Sequence, residues 1–172
     1  MLAATFMEQI GGVKTIVLVV LALIIAWYLR SLSRREKAET AVESLTADKL
    51  AALPDDLVVN TVIKDMLAAC EAAKREPYRM AATWSNQQVN VYSVWATVKE
   101  LEQTVFSTLE GTPAGQFLPL SVEGFQQIGA PACAAAVEAA DDDAFAAAVA
   151  AEQPLALCVE YIRDNAEAFV ED

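Results

Sequence analysis

Histidine does not occur anywhere in the 172 residues. Its absence removes the most common general base, the Ser-His and Cys-His nucleophile pairs, and imidazole metal ligands. Glycine is scarce: six are present, with none between Gly12 and Gly111. No Gly-rich turn is there to cradle a phosphate. The three cysteines, Cys70, Cys133 and Cys158, cannot all pair within one chain, and their spacings match no metal motif. In apolar helical surroundings they read as reduced, small core residues. Carboxylates alone can do acid–base chemistry, and Glu100, Glu102 and Glu110 fall on one segment. Glu100 and Glu102 point to different faces of a helix. Asp141-Asp142-Asp143 lacks the interval pattern of a calcium loop and suits helix capping. The sequence therefore predicts no enzyme, no cofactor and no metal site.

Basic residues are nearly missing from the C-terminal portion. Residues 1–99 carry 11 basic and 10 acidic groups, whereas residues 100–172 carry Arg163 alone against 14 acidic groups. The net charge of -12 is thus concentrated beyond Lys99. Such a surface repels nucleic acid and anionic lipid and attracts a basic protein. It predicts no direct nucleic-acid binding. The candidate partner-binding residues are Glu138, Asp141, Asp142, Asp143 and Glu152. The competing reading is that these charges only keep the protein in solution.

What the chain does have is one long apolar run. Ile10 to Leu29 is 20 residues with a single charge, Lys14. At ~1.5 Å per residue, that length matches the ~30 Å hydrocarbon core of a bilayer. Lys14 can snorkel to the interface, and Trp27 and Tyr28 suit the headgroup layer at the other end. Arg30, Arg34, Arg35 and Lys37 follow immediately. The positive-inside rule then places the N-terminus outside and residues 30–172 in the cytoplasm, at the cell membrane (the inner one in a Gram-negative cell). The run ends in Trp-Tyr-Leu-Arg, without the small-residue site of a cleaved signal peptide. Gly11-Gly12 and Ala22/Ala26 would let a second membrane helix approach.

Alanine, the best helix former, supplies 33 residues, set among Glu, Leu, Lys and Gln. The expected fold is all-α: one N-terminal transmembrane helix followed by a compact multi-helix soluble domain. Residues 1–29 form the short tail and anchor, residues 30–46 a charged stalk or linker, and residues 47–172 the acidic helical domain. Thr46 caps a short helix toward Leu53. Pro54-Asp55-Asp56 opens the next, which ends near Glu76, with Leu57, Ile63, Leu67 and Cys70 on its apolar face. Ser85 and Gln88 form a capping-box pattern. They start the longest soluble helix, Asn86 to Glu110, with Val91, Trp95, Val98, Val105 and Leu109 near one stripe and Gly111 as its stop. Pro119, Pro131 and Pro154 each open a further helix. Gly129 stops the first of these, and the Asp141–Asp143 run caps a helix over about 143–151. Leu157, Tyr161 and Phe169 face the core.

Three stretches carry a family resemblance. They are Tyr92-Ser93-Val94-Trp95 leading to Glu100-Leu101-Glu102; Phe106 with the loop holding Gly111 and Gly115; and Phe125-Gln126-Gln127-Ile128-Gly129-Ala130 followed by the Ala-rich helix to Ala140. Over about residues 88–140, under half the chain, they resemble the bacterial helical DNA-mimic domain family, long described as a domain of unknown function. Members carry Asn-Asn-Gly-Gly-Phe in the middle. Here Glu102-Gln103-Thr104-Val105-Phe106 keeps the phenylalanine and loses both glycines. The resemblance implies an all-α, self-associating domain whose acidic face stands in for DNA phosphates toward a DNA-binding protein.

The sequence thus predicts a membrane-anchored, non-enzymatic interaction module. It contacts the bilayer through residues 10–29 and binds a basic protein partner. The alternative is a structural or assembly subunit of a larger membrane complex, including a homo-oligomer.

Overall fold

The computed structural model describes residues 45–109 and 111–170. The predicted transmembrane segment over residues 10–29, nearly all of the 30–46 stalk, and Glu110 lie outside the described residues. The described residues belong to one compact unit. They are all-helical, with eight α-helices and no strand among them. These are α1 (Ala47–Ala52), α2 (Asp55–Ala73), α3 (Pro77–Met80), α4 (Asn86–Leu101), α5 (Leu118–Gln127), α6 (Pro131–Ala139), α7 (Asp142–Glu152) and α8 (Pro154–Asp164). Among the described residues, no single helix is long and apolar enough to cross a membrane.

Local chemistry sets the helix starts. The Thr46 hydroxyl accepts the Lys49 N–H, and Pro131 and Pro154 stand in the first turns of α6 and α8. The capping box is complete: Ser85 Oγ accepts from Gln88 N at 3.1 Å, and Gln88 Oε1 accepts from Ser85 N at 3.0 Å. Gly129, at φ +87°, ends α5 where an L side chain would be strained.

Three helix ends differ from the sequence expectation. The last helix, expected to carry Phe169 to the core, stops at Asp164, and Phe169 is buried from the end of the 3-10 turn Ala166–Ala168 instead. α2 stops at Ala73, short of Glu76, because Lys74 takes the left-handed conformation at φ 53°. The Arg75 N–H then reaches back to the Cys70 carbonyl, closing the end as a Schellman motif. α4 stops at Leu101, nine residues before Glu110. Thr104 turns both its N–H and its hydroxyl onto the Glu100 carbonyl, and Val105 is extended. Gly111 consequently does not cap α4, and Val105 lies exposed. Phe106 and Leu109 still reach the core, from a 3-10 turn over Phe106–Thr108 rather than from the helix. With α4 shortened, the longest described helix is α2, at 19 residues.

α4 is the central element. Asn90 to Val94 and Ala96 to Val98 are all buried, so the helix is covered on nearly every side. α5 crosses it closely because residue 124 is glycine. A Cβ there would meet Ser93 Oγ at 2.8 Å and the Asn90 carbonyl oxygen at 2.9 Å. α2 buries Val58, Val59, Val62, Ile63, Met66 and Cys70, whereas Leu57, assigned from sequence to that face, is exposed. α2 and α8 both run opposite to α4. Lys99 near the end of α4 shares a groove with Asp55 and Leu155, and Asn90 near its start bonds the Tyr161 hydroxyl at 3.1 Å. Phe106, Phe125 and Phe145 meet edge to face, tying the loop after α4 to α5 and α7.

Candidate functional site

The five candidate carboxylates sit on α6 and α7, and the structure separates them by position and by task. Asp141 is the N-cap of α7, its Oδ1 accepting from Ala144 N at 2.9 Å. Asp142 accepts the Phe106 N–H at 2.9 Å, fastening the loop after α4 to the start of α7. Glu138, one turn back on α6, and Asp143 are exposed. These four gather at the α6–α7 turn. Glu152 lies at the far end of the 11-residue α7, ~15 Å away along the helix axis.

At that far end Glu152 closes the start of α6. Its two oxygens accept the Ala132 and Cys133 N–H groups, each at 2.9 Å. Two of the orphan donors that begin any helix are thereby satisfied by a carboxylate from the next helix. Partial burial works to raise the Glu152 pKa. The hydrogen bonds from Ala132, Cys133 and the Cys133 thiol outweigh that and hold it below its ordinary value. Cys133 moves the other way: burial first, then its hydrogen bond to Glu152 and that residue's charge, push the thiol up to about 12.

The other carboxylates weighed from sequence are likewise engaged or apart. Glu102 pairs with Lys99 at 2.9 Å on the surface. No cluster of carboxylate and thiol groups that could hold a metal ion occurs among the described residues. Cys70, Cys133 and Cys158 are buried and free. Burial pushes the Cys158 thiol up to about 12, far from the thiolate form that nucleophilic chemistry needs.

Two features escaped the sequence reading. Arg163, the only base beyond Lys99, is occupied: its guanidinium donates to Asp55 Oδ1 at 2.6 Å and to the Leu53 carbonyl at 2.9 Å. Lys74, Arg75 and Arg79 also stand around the α2–α3 turn; Lys74 and Arg75, with Glu71 and Glu76, line a groove of about 330 Å³ that Leu67 and Cys70 also border. Three bases within six residues are a signal in the sequence, but a helix expected to run to Glu76 hides the turn that follows Ala73. Comparison of the chain with protein-family models, with curated proteins and with solved structures gives no match.

Proposed function

We propose that this chain is a membrane-anchored, non-enzymatic interaction protein whose acidic helical domain binds a basic protein partner on the cytoplasmic side. Residues 10–29 supply the anchor in this reading, and Arg30, Arg34, Arg35 and Lys37 set its orientation. The observation that carries the proposal is the fate of Arg163. The one base beyond Lys99 is committed to Asp55 and Leu53, so nothing cationic on that portion offsets its exposed carboxylates. Glu138 and Asp143 are the partner-facing candidates, because Asp141, Asp142 and Glu152 each already serve a backbone N–H. The family resemblance over residues 88–140 supports a DNA-binding protein as that partner.

Crosslinking in intact membranes, followed by identification of what is captured, tests this reading. A basic DNA-binding protein, released when salt is raised to ~0.5 M, supports it. Capture that is indifferent to salt counts against it. Release of the chain from washed membranes by carbonate removes the anchor.

A structural subunit of a larger membrane assembly is the second reading. It is favoured by the outer faces of α6 and α7, where Ala132, Ala135 and Ala139, and Ala144, Ala147 and Ala151, are exposed at helical spacing. Small side chains let a further helix approach closely. Capture of integral membrane neighbours supports this alternative over the first.

A further inference from the structure

The α2–α3 turn combines two features that occur together nowhere else among the described residues. Lys74, Arg75 and Arg79 stand within six residues, and none makes an ion pair with a described residue. Tyr78 lies among them with 49 % of its surface exposed, the one large aromatic side chain so open among the described residues. Its ring is steadied from below, edge-on to Phe117 at 5.6 Å, and does not simply trail into solvent. The left-handed Lys74 and the following Pro77 fix the turn between them. A rigid, exposed tyrosine flanked by unpaired cations is the chemistry of a membrane interface: the ring suits the headgroup layer, and the cations suit anionic lipid.

α2 runs opposite to α4, so the turn lies at the N-terminal end of α4. At that end the Ser85 hydroxyl donates to the Ala168 carbonyl at 3.5 Å, and the Ala166–Ala168 turn packs on α1. Glu167 of that turn is exposed at the same end, so the three bases, and not the end as a whole, are what an anionic surface attracts.

We infer that the α2–α3 turn is a lipid-contacting surface, with Lys74, Arg75 and Arg79 on anionic headgroups and Tyr78 at the interface. The inference rests on the anchored reading given above and adds a surface of the helical domain that meets lipid. Glu71 and Glu76 stand beside the three bases, so the segment has one net positive charge and the contact is weak and reversible.

The test is backbone hydrogen exchange of the full chain reconstituted into phosphatidylcholine bilayers, alone or with about one third phosphatidylglycerol. Amides over residues 74–83 are expected to slow about fivefold with the anionic lipid, the bias of one net charge near such a surface. The K74Q/R75Q/R79Q chain should lose that difference. Its thermal unfolding should match that of the unaltered chain, because the three side chains are exposed. Equal exchange in both bilayers overturns the inference, as does slowing that survives the triple substitution. Extraction of the chain by carbonate overturns the anchored reading itself, and the lipid contact with it. A chain that resists carbonate but shows no lipid dependence sinks the contact alone.

Discussion

Glu152 and Cys133 are bound to each other across the α6–α7 pair: the carboxylate accepts the Cys133 N–H at 2.9 Å while α6 begins at that point. The same carboxylate takes the Ala132 N–H through its other oxygen. α6 opens on Ala130-Pro131, which provides no capping side chain of its own. The cap is imported from 20 residues downstream, so the start of one helix depends on the end of the next. Glu152→Ala should therefore cost about 1–3 kcal/mol, the range for losing a helix cap and a charged hydrogen bond. Glu152→Gln retains an acceptor for only one of the two N–H groups and should fall between. Chemical denaturation of the two variants, compared at neutral pH, reads this directly.

The depressed Glu152 pKa gives a pH dependence with a definite sign. Its folded value lies below the unfolded one, so its contribution is full above about 4.5 and is lost as pH falls through the folded value. Stability should decline on acidification below that point, and the decline should be shallower in Glu152→Gln. Cys133 and Cys158 have the opposite sign. Their thiols titrate at about 12 when folded against 9.0 ordinarily, so their contribution is present below pH 9 and disappears as pH rises toward 12. Neither thiol should react with a charged disulfide reagent at pH 8 in the native protein, and both should react after unfolding.

Local signals were legible and distant ones were not. Thr46, Ser85 with Gln88, Pro131, the Asp141–Asp143 run and Pro154 each mark a helix start to within a residue or so, because a cap or a first-turn proline acts within three residues of itself. The end of α4 was missed because apolar spacing continues through Val105 and Leu109, while the Thr104 hydroxyl and the extended Val105 break the helix. The face of α2 was misread around Leu57 because apolar residues adjoin on both sides of the stripe, and only packing against its neighbours selects Val58 and Val59. At the candidate site, capping by the Asp141–Asp143 run is legible, but which of the three is the cap is not: the expected start at 143 points to Asp142, and the cap is Asp141. The reach of Asp142 to Phe106, 36 residues away, left no trace in local spacing.

Gly124 should be intolerant of any side chain. A Cβ would enter the crossing of α5 and α4 at 2.8 Å from Ser93 Oγ and 2.9 Å from a backbone oxygen that cannot rotate away. Gly124→Ala forces the two helices apart and is expected to cost about 1–3 kcal/mol, although alanine favours a helix. Gly124→Val should cost more. A midpoint shift in urea with an unchanged slope would identify lost stability rather than a change in the unfolded chain.

Thr97 is fully buried on α4, and its hydroxyl finds no protein acceptor. Thr97→Val keeps the branched shape and removes the unsatisfied group. Since an unmade buried hydrogen bond costs about 1–3 kcal/mol, the substitution should raise stability by ~1 kcal/mol. A lower melting temperature for Thr97→Val would show that the hydroxyl does make a bond in solution.

The carboxylates of the α6–α7 turn divide into those that hold the fold and those that do not. Asp141 caps α7, and its replacement by Ala should cost about 1 kcal/mol. Glu138 and Asp143 are exposed and hold no backbone group, so E138Q/D143N should change stability by no more than ~0.5 kcal/mol. The proposed function requires the reverse order in binding. The double variant should weaken salt-sensitive capture of a basic partner most, because it removes the two carboxylates with no backbone group to hold and two units of the attracting charge. Asp141→Asn keeps the cap oxygen and removes one charge, so it should weaken capture less than the double variant while leaving the melting temperature nearly unchanged. If the stable E138Q/D143N chain captures its partner as well as the unaltered chain in low salt, this acidic turn is not where the partner binds.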